Sequence, residues 1–227
     1  MTAFFRFPHT PHLAWLGEGS PRADKVLSPH QARAFLDHEL VVEEKIDGAN
    51  LGLSTDEDGE LLAQNRGSWL SPEAAHPQFR SLWSWLAPRR QALVDALWPD
   101  LVLFGEWCAA VHSVRYDALP DWFLGFDVYD RGAGRFWSSH RRDELLRQLG
   151  LHPVPRVGQG RFTLDDLTAM MTSSRVGGAP MEGLYLRQES DDWLERRAKL
   201  VRAEFVQTID AHWSRGPMER NRLAGWS

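Results

Sequence analysis

Apolar residues in this chain come in short runs that do not alternate regularly with helices, which argues against a doubly wound parallel sheet. Val41-Val42 opens a strand that runs into Glu43-Glu44-Lys45-Ile46-Asp47-Gly48. Leu51 and Leu53 alternate with small residues, Asp56 to Gly59 makes a turn, and Leu61 to Asn65 returns as the second arm of a hairpin. Leu101 to Glu106 and Trp122 to Tyr129 read as short buried strands, and Met181 to Arg187 and Glu195 to Arg202 as later ones. Between them lie helical patterns. Ser28-Pro29 caps and opens a helix to about His38, and Pro72 to Trp98 has helical spacing with a break at Pro88. Ser139 caps a helix to Leu149, Thr163 to Met171 carries a capping-box spacing, and Ala203 to Trp213 closes the series. Hairpins mixed with helices in this order predict an α+β fold.

The 227 residues suffice for a core without disulfides, and the single cysteine, Cys108, excludes a disulfide framework or a zinc cage built on several thiolates. Lys and Arg number 26 against 31 Asp and Glu, a balance of −5, so a chain-wide basic field is absent and any nucleic-acid contact needs a local patch. The opening residues lack the pattern of a signal peptide, and no run approaches the roughly 18 apolar residues needed to span a bilayer. A cytoplasmic location without membrane contact is the resulting expectation.

Chemistry concentrates in Glu44-Lys45-Ile46-Asp47-Gly48-Ala49-Asn50. A lysine that ends an apolar strand and is followed by Asp-Gly sits where a strand turns toward a cleft. Such an amine is nucleophilic only when deprotonated. Taken alone, this string more often marks a solvated hairpin lysine. Further along, Arg66-Gly67 follows the return strand, Glu106 comes 61 residues after Lys45 in Phe104-Gly105-Glu106-Trp107, and Phe126 lies in the next strand. Glu182-Gly183 and Lys199, in Arg197-Ala-Lys-Leu-Val-Arg202, complete the order.

This ordered set resembles the motifs of the covalent nucleotidyltransferases, the superfamily of DNA ligases, RNA ligases and capping enzymes. Within it the chain is most similar to the ATP-dependent RNA ligases of the nick-sealing, RNA-repair type, with K-x-D-G-x-N and Asn50 as the pointer. The resemblance covers about Phe7 to Trp213 and implies a nucleotidyltransferase fold: antiparallel sheets flanked by helices around a nucleotide cleft. It implies ATP with Mg²⁺ or Mn²⁺, and RNA ends as substrate (a nicked duplex or a broken tRNA-like molecule), joined from 5′-phosphate and 3′-hydroxyl through lysyl-AMP and RNA-adenylate. An RNA-repair protein is an implied partner.

By the same resemblance Lys45, Asp47 and Asn50 are catalytic. Glu44, Lys45, Arg66, Glu106, Phe126, Glu182, Arg197 and Lys199 bind the nucleotide, with Glu106 on the ribose and Phe126 on the adenine face. Glu182 and Asp47 hold the metal. Arg66 and Lys199 are expected to supply positive charge near the phosphates and to depress the pKa of Lys45. Related ligases commonly have two lysines in the last motif, whereas Lys199 stands alone. Strand alternation places Arg197 on its face, which makes Arg197 the expected second cation. Only 28 residues follow Lys199, so a single adenylation domain over 1–227 is expected, without an OB-fold or large C-terminal domain, and with weak unaided capture of RNA ends. A DNA-ligase-like or capping-type enzyme and a non-catalytic nucleotide- or RNA-end-binding module are the competing readings.

Other residues read more simply. Phe7 and Leu13 anchor an extended opening segment, His9 and His12 lack the carboxylate or thiolate neighbours of a metal site, and Cys108 is a packing residue. Trp69 is a candidate for base stacking. Arg89-Arg90 and the stretch Arg135 to Arg147 fit solvated helix faces.

Overall fold

A computed structural model describes residues 3–18, 25–208 and 218–225. Two sheets face one another. The first, in the order β10-β9-β1-β8, is built from β1 (Leu40–Lys45), β8 (Arg156–Gly160), β9 (Gly183–Glu189) and β10 (Leu194–Val201). The second has the order β3-β2-β4-β5-β6: β2 (Ala49–Thr55), β3 (Leu61–Gln64), β4 (Leu101–Trp107), β5 (Phe123–Asp130) and β6 (Arg135–Phe136). The two-residue β7 (His152–Pro153) pairs with β5 in parallel; the other strand pairs are antiparallel. The α+β expectation holds, and among the described residues no helix is long and apolar enough to cross a membrane.

Side-chain alternation divides the interior into three layers. Leu40 and Val42 of β1, Leu184 and Leu186 of β9, and Ala198 and Leu200 of β10 pack with Phe35 of α1 (Pro29–Leu36) and Leu167 of α5 (Leu164–Met170). Leu51, Leu53, Leu103 and Trp107 meet Trp85 of α2 (Leu82–Leu86), Leu93 and Leu97 of α3 (Arg90–Leu97), and Leu146 of α4 (Ser139–Gln148). Phe104, Leu124, Phe126 and Phe7 fill the space between the sheets. The caps follow the sequence: Ser28 closes a capping box with Gln31, and Thr163 one with Asp166. On α4 the cap is Ser138, one residue before the expected Ser139.

Three further departures bear on the site. β8 was not foreseen, because Arg-Val-Gly-Gln-Gly has neither alternation nor an apolar run. The closing helix, α6, is described over Ala203–Thr208, and the expected remainder to Trp213 lies outside the described residues. The expected hairpin is made by β2 and β3, whereas β1 belongs to the opposite sheet. The chain therefore changes sheets at Ile46-Asp47-Gly48, directly after Lys45. Gly48 permits that crossing, since a Cβ there would stand 3.0 Å from the Trp107 carbonyl and 3.1 Å from Cys108 Sγ.

The opening segment spans both sheets. Gln64 Nε2 donates to the Phe5 carbonyl at 2.8 Å, and the Phe5 ring stacks on Tyr129 at 3.7 Å. Phe7 is buried between the sheets. At the far edge, Lys199 N–H donates to the Pro11 carbonyl at 2.9 Å and Leu13 N–H to the Lys199 carbonyl at 2.8 Å.

Candidate active site

Lys45 ends β1 on the inner face of its sheet, and its Nζ donates to Glu182 Oε2 at 2.6 Å. Glu182 immediately precedes β9, whose Gly183 is paired with Lys45 itself, so the strand register creates this contact. Both side chains are largely enclosed, at 26% and 15% exposure. Lys45 is part of the wall of a cavity of about 610 Å³ between the sheets, and Glu182 stands behind it through this contact.

The cavity has two kinds of wall. Phe7, Ile46, Phe126, Val154 and Tyr185 supply apolar and aromatic lining; Asn50, Arg66, Glu106, His76, Gln78 and His112 supply polar lining. Glu44, Thr10 and Lys199 also reach it. The register of β5 on β4 explains Phe126. Gly105 pairs with Gly125 and Phe104 with Asp127, leaving Phe126 as the extra residue of a bulge. A bulge re-aims side chains, and here Phe126 lines the cavity while neighbouring Asp127 also reaches the opposite sheet. Phe7 meets the Phe126 ring edge-on at 5.2 Å.

Asn50 and Glu106 are cross-strand partners in β2 and β4. Asn50 Oδ1 and Glu106 Oε2 are buried acceptors with no hydrogen-bond partner, an arrangement that favours a ligand bearing hydroxyl or amino donors. Burial raises the Glu106 carboxyl to about 8; nearby Lys45 opposes that shift, while Glu182 and Asp47 add to it. Burial also raises Glu182, against the pull of Lys45.

The lysines divide their charge differently from the expectation. Burial lowers the Lys45 pKa, but Glu182, Glu106 and Asp47 together outweigh burial and leave it raised. Lys199 is the depressed one, at about 8, through burial and the adjacent Lys45 charge. Carboxylates crowd around Lys45, and the expected depression by Arg66 and Lys199 does not prevail.

Two expected site residues are engaged elsewhere. Asp47 does not reach the cavity: its Oδ2 accepts from Ser113 N–H at 2.6 Å and Val114 N–H at 2.9 Å, and its own N–H donates to Tyr116 Oη at 2.8 Å. It anchors the β4–β5 loop, which the buried Asn221 side chain also holds through the carbonyls of Cys108 and Ala110. Arg197 pairs with Asp127 at 3.2 Å, contacts Tyr185 Oη, and lies over the Phe7 and Phe136 rings, so it is not the free second cation beside Lys199. Glu44 gives one carboxylate oxygen to Arg175 N–H at 2.7 Å, while its Oε1 is buried without a partner.

Among the described residues no three His, Cys, Asp or Glu side chains gather as a metal cage. Glu182 fits the hard-oxygen mode in which one or two carboxylates and substrate phosphates share Mg²⁺; of Asp47, Oδ2 is taken by two backbone N–H groups, while Oδ1 lies 3.9 Å from His112 Nδ1. The sequence reading missed Thr10, His76, Gln78, His112 and Tyr185. Tyr185 alone carried a signal, since it lies on the same face of β9 as Gly183.

Residues 38–201 match the model of the RNA ligase family. No curated protein matches the chain. Among solved structures, an arginine-to-alanine variant of the Naegleria gruberi RNA ligase with ATP and Mn aligns at TM-score 0.64 and 19% identity, over 92% of this chain and 59% of that one. A lysine-to-alanine variant of the same ligase with ATP and Mn aligns at 0.61 and 17%, over 88% and 63%. An archaeal ATP-dependent RNA ligase aligns at 0.60 and 21%, over 88% and 49%. The chain thus spans about half to two thirds of their length, and at these identities the likeness is one of fold. The family match covers most of the chain, including both sheets and the Lys45–Glu182 pair; the chain belongs to the RNA ligase family.

Proposed function

We propose that this chain is an ATP-dependent RNA ligase that joins 5′-phosphate and 3′-hydroxyl RNA ends through a lysyl-AMP adduct. The carrying observation is Lys45, bonded to Glu182 and lining a cavity whose walls combine aromatic rings with polar and cationic side chains. The ATP and Mn present in the similar ligase structures support the choice of nucleotide and metal.

In the first step Lys45 Nζ, having released a proton, forms a bond to the α-phosphorus of ATP while the α–β phosphoanhydride bond breaks and pyrophosphate leaves. Glu182 Oε2 lies on that amine and, with its raised pKa, is suited to hold the released proton. Arg66 and Lys199 present cations to the phosphates, Phe126 and Phe7 offer apolar surface to the base, and Asn50 and Glu106 meet the sugar hydroxyls. Glu182 is also the residue that would hold a divalent metal, which would supply positive charge against the charge developing in transfer; its Oε2 stays with Lys45. The RNA 5′-phosphate then takes AMP from Lys45, restoring the amine. Attack by the 3′-hydroxyl on that 5′-phosphate forms the phosphodiester and expels AMP.

Incubation with α-labelled ATP and Mg²⁺ or Mn²⁺, followed by a denaturing gel, tests the first step. The expected result is a labelled protein band, reduced at least a hundredfold in Lys45→Ala. No band from folded protein with either metal rejects the adduct. A band with GTP in place of ATP assigns the chain to capping chemistry.

A further inference from the structure

Outside the cavity, the loop after β3 holds an indole against solvent. Trp69 is 38% exposed and does not line the cavity, yet it follows Arg66, which does. The loop is fixed: Asn65 Oδ1 accepts from Gly67 and Ser68 N–H, each at 2.8 Å, and Leu70 N–H donates to the Ala63 carbonyl at 2.8 Å. Phe4 meets the Trp69 ring edge-on at 5.2 Å and 89°. Arg6 Nε donates to the Arg66 carbonyl at 3.3 Å, which brings a second exposed guanidinium to the cavity mouth. Among the described residues no carboxylate forms an ion pair with Arg6 or Arg66. Trp69 also lines a depression of about 320 Å³ together with Leu62, Leu70, Trp83, Leu86 and Arg90.

We propose that Trp69, braced by Phe4 and flanked by Arg6 and Arg66, is the platform on which an RNA strand lies as its end reaches the cavity. An aromatic face accepts any base by stacking, and adjacent guanidinium groups neutralise the backbone on either side. A chain of net charge −5 binds a polyanion only at a local concentration of cations, and Arg6 and Arg66, both exposed, provide one here. The platform rests on the RNA-joining reading and gives its substrate a place.

Fluorescence anisotropy with a 5′-phosphorylated, labelled RNA oligonucleotide tests it, with α-labelled ATP adduct formation measured in parallel. Trp69→Ala is expected to weaken RNA binding about tenfold. Trp69→Phe keeps most of the affinity, and adduct formation by both variants stays within twofold of the unaltered chain. Arg6→Ala reduces the slope of log affinity against log salt by about one. Unchanged RNA affinity in Trp69→Ala overturns the platform, as does loss of the adduct in that variant, which would tie the loop to the nucleotide. An adduct without any RNA binding by the unaltered chain rejects the platform and leaves the lysyl-AMP step standing. RNA binding that depends on Trp69 without an adduct supports the platform and rejects that step.

Discussion

Arg142→Met is expected to lower the melting temperature by about 10 °C or more, and adding Glu43→Leu is expected to recover most of the loss. Arg142 is fully buried, with Nη2 2.5 Å from Glu43 Oε1 and Nη1 donating to the Phe126 carbonyl at 2.7 Å. Glu43, on the inner face of β1, is equally buried, and the adjacent Arg187 pairs with Asp127 at 2.5 Å and also with Glu189. Removing Arg142 leaves the buried Glu43 carboxylate with Arg187 Nη1, 3.8 Å away, as its remaining cation; breaking a buried pair costs about 3–5 kcal/mol, whereas replacing both partners by apolar groups is often neutral. In a domain of this size each kcal/mol shifts the midpoint by about 2–4 °C. A single variant that melts within 2 °C of the unaltered chain would show that the network is dispensable. The same charges join β1 and β9 to β5 and α4, tying the two sheets together.

Gly183→Ala is expected to reduce labelled-adduct formation about a hundredfold. A Cβ at this position would lie 2.1 Å from the Leu200 carbonyl oxygen and 2.9 Å from Val201 Cα, both backbone atoms that cannot swing aside. Gly183 pairs with Lys45 on one side and Val201 on the other, so relief of the clash displaces β10 together with Lys199, or β9 together with Glu182. A misplacement of about 1 Å in a positioned site costs on the order of a hundredfold in rate. Gly178→Ala is the control: nothing lies within 4 Å of its Cβ, and it should label normally. Labelling of Gly183→Ala within threefold of the unaltered chain would remove the register of β9 and β10 from the account.

The elements that bury one face were legible in the sequence. Leu51 and Leu53 announced β2, and Ser28-Pro29 and Thr163 announced their helices, because alternation and capping are local signals. β8 was hidden, since its pairing with β1 supplies the order that Val-Gly-Gln-Gly lacks. Arg142 looked like part of a solvated helix face, and only the opposite sheet, bringing Glu43 to it, makes its burial possible. The candidate site divides in the same way. Lys45, Arg66, Glu106, Phe126 and Lys199 sit on or beside strands whose order could be read, and the fold gathers them at one cavity. The roles expected of Asp47 and Arg197 depended on partners far along the chain: Ser113 and Val114 for one, Asp127 for the other. The balance of charge at Lys45 was likewise out of reach of the sequence, because the number of carboxylates near an amine is a property of the fold.

The segment that crosses from one sheet to the other has a consequence for biosynthesis. Its Phe7 and Thr10 are walls of the cavity, and its His12 is paired with Lys199 in β10, 187 residues later. A nascent chain whose β10 is still within the ribosome has neither Lys199 nor the edge on which Pro11 to Leu13 dock. Long-range pairing of this kind is made late. The cavity therefore closes only after the ribosome has released β10, and a partly made chain has no complete pocket in which to take up a nucleotide.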